Sequence, residues 1–113
     1  MRQTRLLGTL VFGGIVGLGV ALYAQDKHPS ETFEKYCAKC HGSDGKAQTQ
    51  RGKQLKAQDF TDAEFQADQS DAELIKAVTD GKDEGMPPFG KKLTKEEIES
   101  LVKFDVRGFA PKK

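Results

Sequence analysis

Two cysteines and a histidine fall close together in Cys37-Ala-Lys-Cys40-His41, and the chain has no other cysteine. On a helix these positions are i, i+3 and i+4, so both thiols and the imidazole leave from one face. Two thiols so placed can add to a pair of vinyl groups, and the imidazole beside them can ligate a metal. This C-x-x-C-H spacing is the attachment pattern of haem c, which offers two vinyl groups and an iron. Three other chemistries use the same residue types. A redox-active C-x-x-C belongs with a βαβ context, and none is visible here. A zinc site needs four ligands, and past residue 24 only Cys37, Cys40, His41 and His28 come from the soft set. A structural disulfide between Cys37 and Cys40 is the plainest alternative.

A six-coordinate iron needs a second axial donor. Past residue 24, Met86 is the only methionine and His28 the only histidine besides His41. Met86 lies in Gly85-Met86-Pro87-Pro88-Phe89, where two prolines stiffen a loop that could present a thioether. Apolar filling is the usual fate of a methionine, but a loop is an odd place for it. His28 stands beside Pro29 and reads as a solvated residue.

The elements that must carry these groups are short helices. Phe33, Tyr36, Cys37 and Cys40 keep the spacing of one helical face, with Pro29-Ser30 as the entry and Gly42 as the stop. A loop follows from Gly42 to Asp59, in which only Leu55 looks buried. Thr61-x-x-Glu64 reads as a capping box for a short turn bearing Phe65. Ser70-x-x-Glu73 opens a helix with Leu74, Ile75 and Val78 on one face, closed at Gly81. Thr94-x-x-Glu97 opens the last helix, whose apolar side is Ile98, Leu101, Val102, Val106 and Phe109. Asp105 interrupts that stripe. A one-residue π-bulge would turn Asp105 outward and keep Phe104 in contact; the other reading puts the domain edge there. No segment shows period-two alternation, so the expected fold is all-α.

Composition bounds the rest. The chain has 113 residues, enough for one domain. Leu6 to Ala24 carries no charge and follows Arg2 and Arg5, the layout of a signal peptide cut after Ala24. The stretch is also close to the length of a spanning helix, although it holds five glycines. Residues 1–24 therefore read as a signal peptide or an uncleaved anchor, residues 25–30 as a linker and 31–113 as the domain. Both readings put the domain outside the cytoplasm, in the periplasm or an equivalent compartment, with 6–24 as a membrane tether in the second. Of the 18 basic residues two lie in that leader and none of the 17 acidic ones does. The remaining balance is slightly negative, which argues against nucleic-acid binding. A domain this short gains from a covalently held cofactor.

The C-x-x-C-H motif, the following G-x-x-G-K, the later M-P-P-F and the closing L-T-x-x-E-I-x-x-L-V together resemble the class I c-type cytochromes, closest to small single-haem bacterial members. The resemblance runs from about Glu31 to Phe109. It implies three to five short helices around one covalent haem c, with the terminal helices crossed and one haem edge exposed. It also implies Cys37 and Cys40 as thioether positions, His41 as proximal ligand, Met86 as distal ligand, and Phe33 with Phe104 as the aromatic pair at the crossing. Many members carry a Gly-Pro pair whose proline carbonyl accepts the proximal histidine's N–H; here Gly52-Lys53 is the best match, with Lys53 in the proline place. With both axial positions filled, the expected role is one-electron transfer and not enzymatic catalysis. The expected partners are redox proteins, among them a membrane oxidase, reductase or dehydrogenase. A ring of lysines including Lys39, Lys56 and Lys82 would meet an acidic partner, although interleaved acids equally describe a solvated rim. The rival function is a haem peroxidase or gas sensor with a labile Met86.

Overall fold

The computed structural model describes residues 29–83 and 85–112, together with Gly13, Gly14 and Gly17. Apart from those three glycines, the expected leader, its cut after Ala24, and His28 lie outside the described residues. Six α-helical segments occur among the described residues: α1 (Glu31–Tyr36), α2 (Ala38–His41), α3 (Gln50–Leu55), α4 (Ala63–Asp68), α5 (Asp71–Asp80) and α6 (Lys95–Ser100). A π-helical turn (Leu101–Val106) and a 3₁₀ turn (Arg107–Phe109) prolong α6. The only β pairing among the described residues is an isolated bridge between Lys82 and Met86. The all-α expectation holds.

Caps start these short helices where propensity alone would not. Ser30, Thr49, Asp62, Ser70 and Thr94 each accept a backbone N–H from the first turn that follows. Ser70/Glu73 and Thr94/Glu97 form the reciprocal capping boxes expected from the sequence. The third box does not form. Asp62 caps α4, and Thr61 bonds back to Asp59 at 2.6 Å. An ionised carboxylate is the stronger acceptor for the helix's open N–H groups.

The Gly42–Asp59 stretch was expected to be loop, yet it contains α3. Thr49 Oγ1 accepts the Gly52 N–H at 2.9 Å and donates to the Cys40 carbonyl at 2.7 Å, so one hydroxyl caps α3 and ties it to α2. Gly52 lies where the two helices meet, and a Cβ there would collide with the Cys40 carbonyl oxygen. Burial in this stretch falls on Gly42, Gly45, Ala47 and Gly52, while Leu55 is only half-buried. Backbone approach and one cap hold α3, not an apolar stripe.

The core gathers where α1 crosses the end of the last helix. Phe33 is 1% exposed and Val102 is 0% exposed. Phe60, Leu74, Val78, Phe89, Leu93, Ile98, Leu101 and Val106 complete the main cluster. The Phe33 ring lies 5.3 Å from that of Phe109 and 6.3 Å from that of Phe60. Phe104, expected to be Phe33's partner, is instead 75% exposed.

The π turn explains the exchange. It forms at Leu101–Val106, as the break in the stripe suggested, but it turns Asp105 inward and Phe104 outward. Asp105 is buried because the start of α1 supplies its partners. Its carboxylate accepts the Ser30 N–H and the Ser30 Oγ–H, each at 2.7 Å. Ser30 Oγ in turn accepts the Phe33 N–H at 3.2 Å. A carboxylate at a helix N-terminus satisfies open donors and the positive end of the helix dipole. The extra residue in the turn thus builds a clasp between the two ends of the domain.

Candidate haem site

The C-x-x-C-H segment steps at Cys37, which is the C-cap of α1 and the N-cap of α2. The His41 N–H donates to the Cys37 carbonyl at 2.9 Å, so the second cysteine and the histidine stay within one helical turn of the first. Gly42 ends that turn, as expected. Cys37 and Cys40 both carry free thiols, half-buried side by side in this segment. Among the described residues no group of three or more His, Cys, Asp and Glu could hold a metal ion.

Two adjoining cavities, of about 370 and 450 Å³, open beside these residues. The larger is lined by Tyr36, Cys37, Cys40, Leu55 and Phe89; the smaller by Phe60, Phe65, Leu74, Val78 and Val106. His41, Gln58, Lys82 and Met86 line both, so the two are halves of one cleft. Each half lies within the size range of small-molecule sites, and the lining is mostly apolar.

His41 is buried, and its Nδ1 lies 3.0 Å from the Gln58 carbonyl oxygen. A carbonyl can only accept, so Nδ1 carries the proton and Nε2 keeps its lone pair. Burial holds the imidazole below its ordinary pKa, against the opposing pull of the Gln58 carbonyl. Burial, the larger effect, favours the neutral form, and the Gln58 carbonyl fixes the tautomer that leaves Nε2 free to ligate. The orienting carbonyl belongs to Gln58 and not to Lys53, the position matched to the family's proline. Because any residue supplies a carbonyl, no side chain in the sequence marks this one. Phe60 stacks on the imidazole with ring centroids 4.3 Å apart.

Burial pushes the Cys37 thiol up to about 12, with the neighbouring Asp105 carboxylate and Cys40 adding to it. Met86 is half-buried in a turn tied at both ends. Its carbonyl accepts the Lys82 N–H at 2.9 Å, and beyond the prolines the Phe89 and Gly90 N–H groups bond to α5 carbonyls at 2.9 and 3.0 Å. The Phe89 ring packs edge-on to Tyr36, whose centroid is 5.9 Å away.

These residues suit haem c. An apolar cleft brings together two thiols, a neutral imidazole with one free nitrogen, and a thioether. All four site residues expected from the sequence meet there. Gln58, Phe60 and Lys82 join them, and of these the sequence reading raised only Lys82, as a member of a charged rim.

A helical fold closed by crossed terminal segments around such a cleft defines a small c-type cytochrome. The chain belongs to the family of cytochrome c oxidase, cbb3-type, subunit III, whose model matches residues 24–104. It is similar to the solved KustC0563 c-type cytochrome at 44% identity, covering 71% of this chain and 94% of that one, with a TM-score of 0.67. A tyrosine-to-phenylalanine mutant of Kustc0563 matches at 44% identity, over 73% and 98% of the respective chains, with a TM-score of 0.66. No curated protein matches the chain. Membership carries with it a covalently bound haem c, its iron, and haem-based electron transfer as the general role. Domains of this class are typically extracytoplasmic. Among the described residues no helix is long and apolar enough to cross a membrane.

Proposed function

We propose that this chain is a single-haem electron carrier in which Cys37 and Cys40 hold the haem through thioethers and His41 and Met86 ligate its iron. The observation that carries this reading is that His41 and Met86 line both halves of the cleft beside the two thiols. Bound haem c supplies a one-electron ferric/ferrous couple, and a thioether ligand favours the ferrous form. His41 is held in the ligating tautomer by Gln58. Met86 is tethered by backbone bonds on both sides, which favours a fixed ligand over the labile one that a peroxidase or gas sensor needs. Neither role asks the chain for acid–base or nucleophilic groups, so the reading is a carrier and not an enzyme. The family match supports redox partners such as a membrane oxidase, with the domain in the periplasm or an equivalent compartment.

The test is the visible spectrum of the protein exported through a host with haem-attachment machinery. Sharp low-spin reduced bands and a weak far-red sulfur-to-iron band in the ferric form are expected. Met86→Ala should abolish the far-red band, turn the ferric protein high-spin and lower its potential. An unchanged Met86→Ala spectrum would overturn Met86 ligation, and a protein without haem would overturn the whole reading.

A further inference from the structure

Of the four residues that line both halves of the cleft, Lys82 is the one without a role so far. It is the sole lysine or arginine on the wall of the smaller cavity, where the other charged groups are Asp62, Glu64 and Asp68. On the larger it is joined by Lys56 and Asp83. Its position is not left to a free loop. The Lys82 N–H donates to the Met86 carbonyl, and the Lys82 carbonyl accepts the Gly85 N–H at 3.3 Å. The base of the side chain is therefore fixed to the turn that carries Met86. The ammonium also acts on the Glu73 carboxylate of α5, after the stronger hold of Ser70 on that group.

Haem c brings two carboxylates into this cleft. Placed beside Asp62, Glu64 or Asp68 alone, either would meet like charge. Only Lys82 offers an opposite charge to both halves. We propose that the Lys82 ammonium pairs with a carboxylate of the bound haem c. The pair fastens the Met86 turn to the cofactor, and its positive charge favours the ferrous state, which carries one positive charge fewer. This rests on the reading that the cleft holds haem c through Cys37, Cys40 and His41.

The experiment compares the wild-type holoprotein with Lys82→Arg, Lys82→Gln, Lys82→Glu and, as a control from the same cleft, Lys56→Gln. Resonance Raman spectra follow the bending band of the haem carboxylates, and spectroelectrochemistry gives the ferrous-to-ferric ratio at a fixed ambient potential. Lys82→Gln should shift the carboxylate band and lower that ratio roughly three- to tenfold, a tenfold change being about 59 mV for one electron. Lys82→Glu should lower it further, Lys82→Arg should keep both readouts near wild type, and Lys56→Gln should change the ratio less than Lys82→Gln. An unmoved carboxylate band in Lys82→Gln, or an equal effect of Lys56→Gln, would overturn the pair. The far-red band of the same samples separates this outcome from a failure of Met86 ligation, because its absence from the wild type would count against the ligand and not the lysine.

Discussion

The terminal-helix crossing and the Met86 turn are held together by different means. At the crossing, Phe33 and Val102 are almost fully removed from water, and a buried carboxylate closes the polar end. The Met86 turn has one buried ring, Phe89, and otherwise relies on backbone bonds and two prolines. Burial dominates the first, and restricted backbone freedom the second. Stability and redox behaviour should therefore respond to different residues.

The strongest way to break that division is Phe33→Ala. It removes an aromatic ring packed against Phe60 and Phe109 and should destabilise the holoprotein by about 3–5 kcal/mol in denaturant titration. The far-red band should survive under native conditions; its loss would mean that the crossing also governs ligation. Asp105→Ala comes next. It strips the Ser30 N–H and hydroxyl of their acceptor and should cost about 1–3 kcal/mol, moderated because Ser30 is open to water. Asp105→Asn keeps one acceptor oxygen and should lose less. Equal losses in both variants would show that the charged carboxylate with both its acceptor oxygens, and not the shape of the side chain, makes the clasp.

Gly52→Ala sharpens the comparison from a third place. A methyl group there meets the Cys40 carbonyl, so α3 must move off the haem motif at a cost of about 1–3 kcal/mol. An unshifted denaturation midpoint would show that α3 is free to yield. The smallest effect is acid-dependent. The Ser70 backbone N–H holds the Glu73 carboxyl below its ordinary 4.5, so the box stabilises above that pH and fades as pH falls through and below it. Glu73→Gln should flatten that part of the thermal-melting profile slightly.

What could be read from the sequence followed from which interactions depend on side-chain type. Ser70 and Glu73, or Thr94 and Glu97, announce their helices because a hydroxyl and a carboxylate three residues apart do a specific job. The four cleft residues were equally legible, since thiols, imidazole and thioether are scarce in this chain. Helix α3 was not, because its hold on α2 comes through a backbone carbonyl, one threonine and a missing side chain at Gly52. The Gln58 carbonyl was hidden for the same reason. At Asp105 the break in the stripe was legible but its consequence was reversed. An apolar stripe assumes a constant turn, and an inserted residue changes the phase of everything around it. Phe109 then reaches Phe33, Phe104 faces water, and the carboxylate finds donors 75 positions earlier in the chain.

That separation has a consequence in time. Ser30 and the haem motif are made first, and Asp105 follows 75 residues after Ser30. Closing so long a loop before its ends coexist is not possible, and afterwards it carries the entropic penalty of distant contacts. The nascent chain thus passes through an interval in which the Cys37 thiol is not yet buried and the Asp105 carboxylate is not yet beside it. In that interval its thiol keeps an ordinary acidity, well below the value of about 12 that the closed domain imposes. Under the proposed attachment, addition of the Cys37 sulfur to a vinyl group is easiest before the domain closes, because closure both buries the thiol and lowers its acidity.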